Sequence, residues 1–138
     1  MKLTSFTDYG LRMLMRMASA PDQAFSTADL AEELGLSRHH LTKIMQRLAQ
    51  GGIVATRRGV NGGAVLRQVP ASIRLGDVVQ LLERHQALVE CFGPDGGDCV
   101  LDGCCRLKSR LRQAESRFIQ DLNTSTLADI ALPQKAVA

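Results

Sequence analysis

Apolar residues in the first fifty positions recur in three short helical patterns. Phe6, Tyr9, Met13 and Met17 fall at helical spacing, with Thr4 or Ser5 available to cap the start and Pro21 beyond the end. Ser26 followed by Asp29 is a weak capping-box pattern ahead of Leu30, Ala31 and Leu34, and Gly35 stops that segment. Ser37 caps a third run, in which Leu41, Ile44, Met45 and Leu48 occupy i, i+3, i+4 and i+7 before the Gly51-Gly52 pair. The opposite face of that run carries His39, Lys43, Gln46 and Gln50.

The period then changes. Residues 53–57 (IVATR) read as a strand, RGVNGG as a turn rich in residues that tolerate positive φ, and AVLR as the returning strand, which together predict a β-hairpin. Pro70 separates it from a fourth helix that opens near Asp77 and buries Val78, Val79, Leu81 and Leu82. Residues 91–105 hold all four cysteines together with Gly93, Pro94, Gly96, Gly97 and Gly103, and read as a loop. From Arg106 onward, Leu107, Leu111, Ala114, Phe118 and Leu122 recur every three or four positions, a helix of about five turns. The last residues, including Pro133, read as a frayed end, and there is no internal repeat.

The expected architecture is therefore mostly α with a small β-hairpin. Residues 1–75 form a winged helix-turn-helix DNA-binding region. Residues 76–138 form a sensor region with a cysteine loop (91–105) and a long C-terminal dimerisation helix (about 106–123). The apolar stripe of that helix is too long for so small a core to cover alone, which predicts a homodimer.

At 138 residues the chain suits one compact domain, or one domain with an oligomerisation element. A hydrophobic content of 45% against 22% charged residues excludes disordered and fibrous classes. Asp8, Arg12 and Arg16 interrupt the start where a signal peptide needs an apolar stretch, and no apolar run is long enough to cross a bilayer, so a cytoplasmic location is expected.

Charge adds a partner. The net charge is only +3, but residues 1–70 sum to +4 and residues 71–138 to −1. Between Glu33 and Asp77 no carboxylate occurs, while Arg38, Lys43, Arg47, Arg57, Arg58, Arg67 and Arg74 all fall there. A one-signed stretch on a folded scaffold favours a polyanion. The third helix would enter the major groove of double-stranded DNA through Ser37, Arg38, His39 and His40 at its N-terminus, where amide dipoles also favour phosphate. Lys43 and Arg47 would hold phosphates, and Arg57, Arg58 and Asn61 of the hairpin would meet the backbone or the adjacent minor groove. RNA fits less well. The single Tyr and the four Phe all lie outside the basic window, so platforms for stacking single-stranded bases are scarce there.

The cysteines follow the pattern Cys91, seven residues, Cys99, four residues, Cys104, Cys105. In a cytosolic chain stable disulfides are disfavoured, so clustered thiols point to metal or redox chemistry. The absence of C-x-x-C counts against a zinc ribbon and a thioredoxin-like dithiol, though a tetrahedral zinc site completed by His85 stays open, as does a metal-free thiol switch. No P-loop, G-x-S-x-G or H-E-x-x-H occurs, and two of the three histidines sit in the basic helix, so the chain does not read as an enzyme.

Four segments carry a family resemblance: LTSFTDYGLR at 3–12, LSRHHLTKIMQRL at 36–48, RGVNGG at 58–63 and CRLK at 105–108. They resemble the NsrR family, the nitric-oxide-sensing repressors among bacterial winged-helix iron–sulfur regulators. The resemblance implies a cluster of 4Fe–4S or 2Fe–2S type held by Cys91, Cys99 and Cys105, with Asp8 of the partner subunit as the ligand that closes the fourth site. A cubane cluster ordinarily takes four cysteines, so three thiolates leave one iron for such a ligand. Cys104 is an addition to the family pattern. The related IscR regulators use a histidine three residues after the last cysteine, where this chain has Lys108. RirA-like iron-responsive regulators share the long first cysteine spacing and form the alternative.

Overall fold

The computed structural model describes residues 2–60 and 62–133. Five helices and one hairpin follow in the order α1 (Ser5–Ala18), α2 (Thr27–Leu34), α3 (Arg38–Gln50), β1 (Val54–Arg57), β2 (Gly63–Leu66), α4 (Leu75–Leu82) and α5 (Arg106–Leu122). The first three helices begin where short polar side chains satisfy their free amides. Thr4 Oγ1 accepts from the Thr7 N–H at 3.2 Å, Ser26 Oγ from Asp29 at 3.0 Å and Ser37 Oγ from His40 at 3.5 Å. Of the two possible caps for α1, Thr4 takes the position, because it alone has extended backbone ahead of the first turn.

Strands β1 and β2 pair antiparallel from Val54 opposite Leu66 to Arg57 opposite Gly63. The hairpin is anchored beyond its own ladder. Phe25, just before α2, exchanges two backbone hydrogen bonds with Ala64, at 2.9 and 2.7 Å. Gly63 makes this approach possible, since it sits at φ +143 and a Cβ there would lie 2.6 Å from the Phe25 carbonyl oxygen.

One core joins α1 to α4 and the hairpin into a single head. Met13, Leu14 and Met17 of α1, Leu30 of α2, Leu41, Ile44 and Leu48 of α3, and Val54 of β1 are all at most 1% exposed. Val78 and Leu82 of α4 and Leu127 near the C-terminus complete the same cluster. Helix α5 contrasts sharply, because none of its residues is buried and Leu107 is 62% exposed.

Two expectations need correction. Helix α4 opens at Leu75 rather than near Asp77, because its first amides are satisfied by distant residues instead of a local cap. The Asp77 N–H donates to Asn123 Oδ1 at 3.0 Å and the Leu75 N–H to the Ser125 carbonyl at 3.1 Å. The C-terminal stretch through Leu132 is also no frayed end, while residues 134–138 of that expectation lie outside the described residues. Leu127–Ile130 form a 3₁₀ turn with Leu127 fully buried, and the Leu132 N–H reaches the Met15 carbonyl at 3.0 Å.

Candidate nucleic-acid interface and cysteine loop

The turn between α2 and α3 is set by Gly35, which takes the left-handed conformation at φ +65. That lets the Leu36 N–H bond back to the Ala31 carbonyl at 2.9 Å, a Schellman-type ending that aims α3 away from α2. On α3 the apolar stripe faces the core. Its other side exposes Arg38, His39, His40, Thr42, Lys43 and Gln46, and the first turn contains no acidic residue. The N-terminus of α3 thus combines free amides, helix-dipole positive charge and a guanidinium on one exposed surface. Arg57 and Arg58 are exposed at the end of β1, where the hairpin projects. Asn61 lies outside the described residues.

His40 is held from behind. Its ring lies 6.1 Å from that of Tyr9, and the Arg12 guanidinium sits 5.5 Å over the same tyrosine. Arg12 in turn makes a two-pronged pair with Asp8, at 3.2 and 2.8 Å, with both side chains half exposed.

Arg47 departs from its expected place among the phosphate contacts. Its guanidinium lies 4.4 Å over the Phe6 ring, and Nη1 donates to the Leu82 carbonyl at 3.1 Å. The reason is local supply: the Leu82 carbonyl at the end of α4 takes its partner from outside its own helix, and the π-face of Phe6 offers the guanidinium a second surface. Nothing in the linear pattern signals this, since Arg47 belongs to the same basic run as Lys43.

The second half presents four free thiols on one loop, Cys91 and Cys105 half buried and Cys99 and Cys104 exposed. Cys105 caps α5, its Sγ accepting the Lys108 N–H at 3.4 Å, while the Cys104 thiol donates to the Leu101 carbonyl at 3.3 Å. The Lys108 ammonium pairs with Asp102 at 2.8 Å, which raises the lysine pKa and lowers that of the aspartate. Among the described residues no three Cys, His, Asp or Glu side chains converge closely enough to hold a metal ion, and Asp8 is engaged with Arg12. The donor chemistry nonetheless fits an iron–sulfur cluster: soft thiols, all unbridged, on a loop whose Gly96, Gly97 and Gly103 adopt positive φ.

A reading helix with an exposed polar N-terminus, followed by an arginine-tipped hairpin, defines a winged helix-turn-helix regulator. The family model described as Rrf2, iron-dependent transcriptional regulator, matches residues 3–132, and the chain belongs to that family. It is 40% identical over 131 residues to the HTH-type transcriptional regulator NsrR of Geobacillus kaustophilus, covering 94% of this chain and 89% of the relative. The NsrR of Shouchella clausii is 38% identical over 133 residues, with 96% and 89% covered. Among solved structures, CymR of B. subtilis, a global cysteine regulator, superimposes with a TM-score of 0.70 at 27% identity, over 95% of this chain and 96% of that one. T. potens IscR does so with a TM-score of 0.71 over 94% and 85%, and at 24% identity it supports the fold alone. Among the described residues no helix is long and apolar enough to cross a membrane.

Proposed function

We propose that this chain is a cytoplasmic DNA-binding repressor, a homodimer whose hold on its operator is controlled by a nitric-oxide-sensitive iron–sulfur cluster, most simply of 4Fe–4S type. The carrying observation is the pairing, in one chain, of an exposed acid-free reading surface on α3 with four free thiols on a single glycine-rich loop. The NsrR name of two relatives at 38–40% identity supports nitric oxide as the signal. Residues 1–75 read DNA and residues 76–138 sense.

Cys91, Cys99 and Cys105 are the thiolate ligands, and Asp8 of the partner subunit is the fourth. When bound, the cluster supplies an iron whose hard carboxylate ligand exchanges more readily than thiolate, and that iron is open to nitric oxide. For Asp8 to serve, it must leave Arg12. An exposed i,i+4 pair of this kind contributes only about 0.3–0.5 kcal/mol, so releasing it is cheap against an iron–carboxylate bond. Titrating nitric oxide into anaerobically purified protein is expected to bleach the visible absorption and lower operator affinity together. Loss of affinity on iron chelation but not on nitric oxide would instead establish the iron-responsive reading, and a colourless zinc protein the thiol-switch one.

On the DNA side, Ser37, Arg38, His39 and His40 meet base edges, while Lys43, Arg57, Arg58 and Asn61 meet the backbone. Lys43→Ala is expected to weaken binding to all duplexes and flatten the salt dependence by about one unit of log–log slope. A changed base preference with an unchanged slope would reverse the two roles.

Dimerisation through α5 follows from its uncovered apolar stripe: Leu107 is exposed, and Leu111, Phe118 and Leu122 are only partly covered. Replacing Leu111 and Phe118 together by Asp is expected to give monomers with much weaker operator binding, read by light scattering and anisotropy. An unchanged solution mass would place the interface elsewhere.

A further inference from the structure

Three helices meet at the end of α4, and Arg47 is the polar group that joins them. The Leu82 side chain, 1% exposed, seats on Gly10 of α1, where an added Cβ would stand 2.7 Å from Leu82 Cδ1 and 3.2 Å from Ile44 Cγ2 of α3. The Leu82 carbonyl takes its hydrogen bond from Arg47 at 3.1 Å. The next residue, Glu83, receives the Thr4 N–H at 2.7 Å and the Thr4 hydroxyl at 3.0 Å. Arg47 itself comes from the last turn of α3 and lies on Phe6 of α1. One guanidinium therefore touches α1 through its face and α4 through an edge, while its stem belongs to the reading helix.

We infer that Arg47 is a positioning residue for DNA reading: it fixes the angle of α3 against α1 and the end of α4, and it does not hold phosphate. The chemistry requires arginine. A planar guanidinium can stack on a ring and donate in its own plane at once, whereas a lysine ammonium is a strongly hydrated point charge that does neither in this arrangement. Positive charge at the C-terminus of α4 also complements that helix's dipole. Because base readout depends on where the α3 N-terminus lies in the groove, a loosened α3 loses discrimination before it loses general attraction to DNA. The inference rests on the reading of α3 as the DNA-contacting helix.

The test compares full-length wild type, Arg47→Gln, Arg47→Lys, Phe6→Leu and the Arg47→Gln/Phe6→Leu double variant, after far-UV circular dichroism has confirmed folding. The probes are a duplex selected by the wild type from a random pool and a scrambled duplex of equal length, each titrated by anisotropy across a range of KCl. Arg47→Gln and Arg47→Lys are expected to lower the ratio of selected to scrambled affinity about tenfold, with the salt slope on the scrambled duplex unchanged. Phe6→Leu, which keeps the charge, is expected to lower the same ratio, and the double variant to add little to either change. A slope reduced by about 0.9 in Arg47→Gln and restored in Arg47→Lys would overturn the inference in favour of a phosphate contact. Equal losses on both duplexes would overturn it in favour of a purely structural role. Failure of the wild type to enrich any sequence would remove the DNA-reading role itself, a result distinct from both.

Discussion

Alanine at Cys91, Cys99 or Cys105 is expected to abolish the visible iron–sulfur absorption and release the operator, whereas Cys104→Ala should leave both near wild type. Thiolates are the soft donors that a cluster needs, and removing one of three leaves two thiolates and a carboxylate for four metal sites. Cys104 is adjacent to Cys105 and exposed, and its thiol is engaged with the Leu101 carbonyl. Cys105 also caps α5, so its alanine variant loses a helix cap as well as a ligand. Cys105→Ser separates the effects: a hydroxyl caps at least as well as a thiol but is a poor cluster ligand, so the serine variant is expected to be colourless with α5 intact. Asp8→Ala is expected to be intermediate, holding a cluster closed by water or an external thiol that is lost faster in air. Iron content, absorption and operator anisotropy on anaerobic samples read all of these. A brown, iron-replete Cys99→Ala protein, or a colourless Cys104→Ala one, would refute the ligand set.

Leu127→Ala is expected to destabilise the fold by about 2–5 kcal/mol, the usual range for truncating a fully buried leucine. Against a typical total of about 5–15 kcal/mol, that removes a large part of the stability of the head, although the residue lies far along the chain from the reading helix. Leu127 is fully buried, and its N–H donates to the Ile73 carbonyl at 2.8 Å, tying the C-terminal segment to the stretch that leads into α4. Urea unfolding followed by circular dichroism measures the change. A loss under about 0.5 kcal/mol, ordinary for surface positions, would mean that this segment does not contribute to the core.

Much of the head was legible because its signals are local. The caps Thr4, Ser26 and Ser37 lie three residues from the amides they satisfy, the apolar stripe of α3 repeats within its own thirteen residues, and Gly35 needs only its own backbone to end α2. The hairpin was equally plain, since RGVNGG separates two apolar runs of strand length. The start of α4 was not, because its amides are satisfied by Asn123 and Ser125, nearly fifty residues away. The packing of Arg47 was hidden for the same reason: Phe6 and the Leu82 carbonyl, its partners, lie 41 and 35 positions from it.

The sequence by itself determined the order of helices, turn and hairpin, the acid-free basic window and the concentration of four thiols on one loop, all properties that the linear order of residues carries without any distant contact. Only the tertiary structure decided which cations remain available to a polyanion. Arg38, Lys43, Arg57 and Arg58 stay exposed, while Arg47 is drawn inward by a ring and the Leu82 carbonyl. Tertiary packing also decided that the C-terminal segment belongs to the core of the head, because a leucine with no local periodicity is buried only once its segment meets α1 and the stretch at Ile73, where the Leu127 N–H bonds the Ile73 carbonyl and the Leu132 N–H the Met15 carbonyl.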